Sequence, residues 1–232
     1  MQPVSVEAPL KIRQQESRAL EQACAGNKEG SKLGKATRDH YMRLDAVIAS
    51  SMAATKTQVD CQRGCDYCCY YKVSASANEI FLISTWMQTR LPAERVESIL
   101  VAARENAARI AHMTTAQHLS SNIQCPLLVD GACSIYDVRP AMCRKHHSLN
   151  VALCKQSYEH PEDISIPNPE EPQVGMRALA AIAGAREGIE RAGLDAGLYD
   201  LSTALLETFT DNKPEKRWRK GKKAFSKAAA VS

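Results

Sequence analysis

Residues 61–71 read CQRGCDYCCYY and place Cys61, Cys65, Cys68 and Cys69 within nine positions. A second group follows at Cys125, Cys133 and Cys143, with Cys154 as an eighth candidate. Thiols at such spacing can form disulfides, a thiol–disulfide redox pair, or a thiolate metal site. Disulfides need an oxidising compartment, and neighbours such as Cys68 and Cys69 bond each other only under strain. A redox CxxC usually follows a strand in an α/β domain, whereas Cys65 and Cys68 follow a helical pattern. A metal site uses the thiols best, since short spacings let neighbouring thiolates reach a zinc ion or an iron–sulfur cluster. Consecutive side chains diverge, so Cys68 and Cys69 are hard to aim at one tetrahedral ion. Seven or eight donors also exceed a single mononuclear site. A multinuclear cluster or two adjacent sites is therefore favoured.

The elements that carry these residues read as helices. An N-terminal pattern over 8–25 has a weak apolar stripe, and GNKEGSKLG at 26–34 reads as a loop. Tyr41, Leu44, Ile48 and Met52 recur at helical steps in a helix over about 36–59, which delivers the chain to Cys61. Ser76 and Glu79 form a capping box that opens the next helix. Leu91-Pro92 breaks that run and starts another through Val96, Ile99, Ala103 and Ile110. These two helices are expected to pair antiparallel and return the chain to the nest. Asp130-Gly131 lies between two short β-prone runs and predicts a tight hairpin. Asp137 could cap a short helix that has Pro140 in its first turn and carries Cys143. HPEDISIPNPEEP at 160–172 reads as an extended linker, and two helices, about 173–192 and 195–209, follow it. The CxxxCxxC of Cys61, Cys65 and Cys68 also fits the triad of radical SAM enzymes, but the barrel of strands and helices which that chemistry needs does not follow. The expected class is mainly α: a helical domain with a small cysteine-pinned β-hairpin around a thiolate metal site.

The two cysteine stretches resemble the YkgJ-type cysteine-cluster family, described as a zinc- or iron-chelating domain. Its pattern is a CxxxCxxCC nest followed by CPxL, a turn, CxIY, RP and CR. Here these are Cys125-Pro126, Cys133, Ile135-Tyr136, Arg139-Pro140 and Cys143-Arg144. The resemblance spans about residues 58–155 and implies that the cysteines chelate zinc or iron. A flagellin lysine methylase is a relative with a similar cluster tied to iron–sulfur chemistry, which implies the alternative of an enzyme modifying a protein partner. The family pattern puts an aromatic, and often a further cysteine, soon after the CR pair. Here His146 and His147 stand there, and the next cysteine is Cys154. Either histidine could complete a site, although packing is the plainer account of each.

Thiolates around a cation leave net negative charge, so N–H donors are wanted beside them. Arg139 and Arg144 lie inside the matched motif and are the candidates for cluster binding, with Arg63, Lys72 and Lys145 as neighbours in sequence. His40, His112, His118 and His160 read as surface or helix residues, and Cys24 as a small buried apolar residue. No phosphate-binding glycine loop, nucleophile elbow or HExxH pattern occurs.

The division expected from composition is an N-terminal helical region (1–57), a metal-binding core (58–155), a Pro- and acid-rich linker (156–172), C-terminal helices (173–211) and a basic flexible tail (212–232). The tail concentrates eight Lys or Arg against one Glu, so the remainder is net acidic although the chain totals +4. Trp218 and Phe225 among those charges could stack on nucleic-acid bases; a solvated terminus is the plainer reading. The opening residues carry charges every few positions, so neither a secretory signal nor a membrane span is expected, and the expected compartment is the cytosol. The function expected is binding of zinc or iron, as ions or as an iron–sulfur cluster, in a structural, metal-handling or redox role.

Overall fold

The computed structural model describes residues 7–26, 29–62, 64–228 and 230–231. Its first half runs α1 (Glu7–Cys24), α2 (Gly30–Thr55), β1 (Ser74–Ser76), α3 (Ala77–Arg90), α4 (Ala93–Ile110), α5 (Thr115–Leu119), β2 (Leu128–Val129) and β3 (Ala132–Cys133). The second half runs α6 (Ala141–Lys145), α7 (Val151–Glu159), α8 (Pro172–Arg191), β4 (Leu198–Asp200), α9 (Leu201–Thr210), α10 (Pro214–Arg219) and β5 (Ala230–Val231). The protein is mainly helical, as its sequence predicts. No described helix is long and apolar enough to cross a membrane.

The closest helix pair is α1 on α8. Its seam is made of small residues, with Ala178, Ala181, Gly184, Ala185 and Gly188 buried along one face of α8. A Cβ on Gly184 would stand 2.3 Å from the Arg13 carbonyl oxygen, and one on Gly188 2.3 Å from that of Ser17. Only glycine permits this approach. Beside the seam, Glu16 is buried and takes His40 Nδ1 at 3.0 Å and Arg43 Nε at 2.6 Å. His40 is thus a helix residue, buried beside Glu16.

One hydrophobic cluster collects Leu20, Tyr41, Leu44, Ile80, Ile83, Met87, Ile189 and Leu205 from α1, α2, α3, α8 and α9. The capping box at Ser76 and Glu79 forms as expected, as does the break at Leu91-Pro92. The pairing of α3 with α4 is a correction: α4 packs chiefly against α9 and only lightly against α3. Other boundaries shift too. Residues 30–34 belong to α2, where Gly30 lies under the Glu215 carboxylate. Residues 198–200 form a strand, because β4 pairs antiparallel with β1, Tyr199 opposite Ala75, and with β5.

The basic C-terminal stretch needs the largest correction. Trp218 is 1% exposed and Phe225 0%, both against Phe81 in the common core. The Trp218 indole N–H donates to the Asp195 carbonyl at 2.8 Å. Buried Glu207 accepts the backbone N–H groups of Ser226, Lys227 and Ala228 and is paired with Arg217. Long cationic side chains keep their heads in water while the backbone beneath them docks, so charge density misrepresents this segment. The two rings are also buried away from any nucleic-acid base.

Candidate metal centre

After α2, Lys56 turns the chain in a left-handed conformation (φ 55°), and residues 57–62 follow without regular secondary structure. Asp60 ties this stretch to the start of α7: its N–H donates to the Ser148 carbonyl at 3.0 Å, and its carboxylate accepts the Val151 N–H at 3.0 Å. The Ser148 N–H then donates to Cys61 Sγ at 3.1 Å. Gly64 takes φ 93°, a value that only glycine adopts freely, inside the turn closed by Cys65 N–H on the Gln62 carbonyl. A 3-10 turn over Tyr67–Tyr70 then presents Cys68 and Cys69.

The nest and the second group meet through the backbone. Cys125 N–H donates to the Cys69 carbonyl at 2.7 Å, and Ile123 N–H to that of Tyr70 at 3.3 Å. Beyond this join, β2 and β3 form the expected hairpin, Leu128 opposite Cys133 and Val129 opposite Ala132. Asp130 (φ 52°) and Gly131 (φ 71°) make its two-residue turn, the conformation that an Asp-Gly pair favours. Cys143 follows on α6, whose start differs from the sequence expectation. Arg139 is extended, as residues before proline are, and the helix begins at Ala141 after Pro140. Its first N–H, on Ala141, is taken by the distant Glu79 at 2.7 Å and not by Asp137. Glu79 thus caps α3 and also anchors the helix bearing Cys143, a role that sequence reasoning missed because the partner is 62 residues away.

Seven cysteines, Cys61, Cys65, Cys68, Cys69, Cys125, Cys133 and Cys143, line one cavity of about 180 Å³ together with His146 and Arg139. Cys154 is buried on α7 outside that lining, yet near enough for its charge to raise Cys61 and Cys65. None of the eight cysteines of the two groups is joined in a disulfide. Burial, reinforced by neighbouring thiols, raises Cys61, Cys65 and Cys125, and pushes Cys143 up to about 12. Cys68 is raised furthest, first by its hydrogen bond with Cys69 and then by burial. It acts on both sets, on Cys61 and Cys65 and on Cys125, Cys133 and Cys143, and so stands between them.

Among the described residues, Arg139 is the cationic side chain that lines the cavity. It offsets the rise at Cys133 and Cys143 while its guanidinium lies 3.9 Å over the Tyr136 ring. Arg144 is not brought to the cavity. Its guanidinium is buried against Asp45 (2.6 Å), the carbonyls of Arg139 and Asp137, and the Tyr41 ring. Lys145 is held by Glu170, and Lys72 acts on His118. Arg63 lies outside the described residues. Of the two histidines, His147 has both ring nitrogens engaged: Nδ1 donates to the Lys145 carbonyl at 3.0 Å and Nε2 accepts the Glu171 N–H at 2.8 Å. His146 alone lines the cavity.

Among the described residues no three His, Cys, Asp or Glu side chains converge tightly enough to grip one ion. What fits a metal is the donor chemistry. Closely spaced buried thiols suppress one another's ionisation, and a soft cation that binds thiolates removes that penalty. The fold and cavity define a helical protein with a multi-thiol pocket. Residues 60–162 match the family model described as "CxxCxxCC: Putative zinc- or iron-chelating domain". Comparison with curated proteins and with solved structures gave no match.

Proposed function

We propose that the cavity is a thiolate centre for zinc or iron, held by Cys61, Cys65, Cys68, Cys69, Cys125, Cys133 and Cys143, with Cys154 supporting the nest. The observation that carries this reading is that three separate stretches of chain deliver seven thiols to one cavity. Four thiolates saturate a tetrahedral ion, so seven suit a polynuclear cluster or two adjacent ions. Cys68, between the two sets, is the donor suited to be shared. Arg139 supplies positive charge beside the second set, and Ser148 N–H holds the Cys61 sulfur. Bound zinc would cross-link the hairpin to the nest; a bound iron–sulfur cluster would supply one-electron chemistry. The role proposed is structural, metal-handling or redox.

Anaerobic purification with metal analysis and an absorption spectrum tests this. A brown protein absorbing broadly in the visible carries iron–sulfur, whereas a colourless zinc-loaded protein carries zinc. Cys65→Ser and Cys133→Ser should each lower metal content sharply although they lie in different stretches. Full metal retention in both variants overturns the shared site.

A further inference from the structure

Resting on the thiolate-centre reading, we propose that His146 is a nitrogen ligand of this centre through Nε2, and that Glu170 is the residue that positions its ring.

Three features of the structure carry the assignment. His146 lines the cavity with the seven cysteines, as a half-buried side chain. Its Nδ1 stands 3.4 Å from Glu170 Oε1, which leaves Nε2 as the nitrogen without a hydrogen-bond partner among the described residues. The Tyr71 ring meets the imidazole edge-on, centroids 6.0 Å apart at 89°, and restricts its rotation. A carboxylate on one nitrogen, fixing the tautomer and raising the basicity of the other, is the usual support of a metal-bound histidine. Glu170 is itself held in place. Its second oxygen pairs with buried Lys145, and the adjacent Pro169 carbonyl accepts the Leu149 N–H at 2.9 Å.

The adjacent histidine is an internal comparison. His147 uses both nitrogens in backbone hydrogen bonds and would lose both on turning to a metal. Glu170 lies beyond the family segment at 60–162, so the carboxylate comes from chain outside that segment. An imidazole among thiolates lowers the negative charge of the centre, and in an iron–sulfur cluster such replacement raises the reduction potential.

The test uses the full chain, labelled with nitrogen-15 at histidine and loaded anaerobically with cadmium-113 in place of zinc. The expected result is a cadmium resonance coupled to one histidine nitrogen, lost in His146→Ala and retained in His147→Ala. Glu170→Gln should keep the protein folded, alter the His146 tautomer signature and weaken metal affinity about 10- to 100-fold. Cadmium bound with sulfur neighbours only, and unchanged in His146→Ala, overturns the histidine assignment while leaving the thiolate centre intact. A wild-type protein that binds no cadmium overturns both.

Discussion

Removing the Glu79 carboxylate tests how the fold aims Cys143. Oε1 accepts the Tyr41 hydroxyl at 3.0 Å and the Ala141 N–H at 2.7 Å; Oε2 accepts the Ser76 N–H and hydroxyl, both at 2.8 Å. One side chain, 7% exposed, therefore joins α2, the start of α3 and the start of α6. In Glu79→Ala the Ala141 N–H and Tyr41 hydroxyl lose their acceptor inside the protein. Each stranded donor costs about 1–3 kcal/mol, so with the lost cap the total is roughly 3–5 kcal/mol. For a chain of this size that is a fall in Tm on the order of 10 °C. Glu79→Gln keeps an oxygen for one pair of donors but turns an NH2 toward the other, and should lose about half as much. Urea unfolding followed by circular dichroism gives the stability, and hydrogen exchange over 141–147 gives the local effect. A Glu79→Ala protein within about 1 kcal/mol of wild type, with unchanged protection on α6, would refute the assignment of Glu79 as the anchor of the Cys143 helix.

The other predictions concern the seam, the C-terminal stretch and its pH response. Gly188→Ala should cost about 1–3 kcal/mol, because its Cβ meets backbone on α1 that cannot turn aside; a stable variant with an unchanged urea midpoint contradicts the close approach. Deleting residues 213–232 strips Trp218 and Phe225 from the core. Large-to-small losses of about 3–5 kcal/mol per ring approach a typical total stability, so cooperative unfolding should disappear; an intact transition would return this stretch to the status of an appendage. Burial opposes the charge on Glu207, but the N–H groups of Ser226, Lys227 and Ala228 outweigh it and lower its carboxyl. Its contribution is therefore complete above the ordinary glutamate range and declines as pH falls through that range to the lowered value. Exchange at 224–228 should accelerate in acid in the wild type, and Glu207→Gln should be faster already at neutral pH and lack the acid step.

The sequence by itself determined the candidate donors and the local pieces that carry them. Cys61 to Cys69 and Cys125 to Cys143 identify thiolate chemistry by type and spacing, and Asp130-Gly131 and Ser76 with Glu79 specify a turn and a cap through contacts within four residues. Such features are legible because their partners are close in the chain. Tertiary structure decided whatever depends on distant partners. The Cys125 N–H on the Cys69 carbonyl joins the two groups, and Glu79 on Ala141 sets the helix that carries Cys143. The same holds for the contrast between paired histidines: His146 faces the cavity while His147 is bound to backbone, a difference no local pattern encodes. Arg144 belongs to the motif in sequence yet is held by Asp45 away from the thiols. Trp218 and Phe225, in a stretch whose charge suggests solvent, are buried because Phe81, Tyr199 and Glu207 receive them. Charge and spacing are properties of neighbours in the chain, whereas burial depends on which distant surfaces are free to accept a side chain.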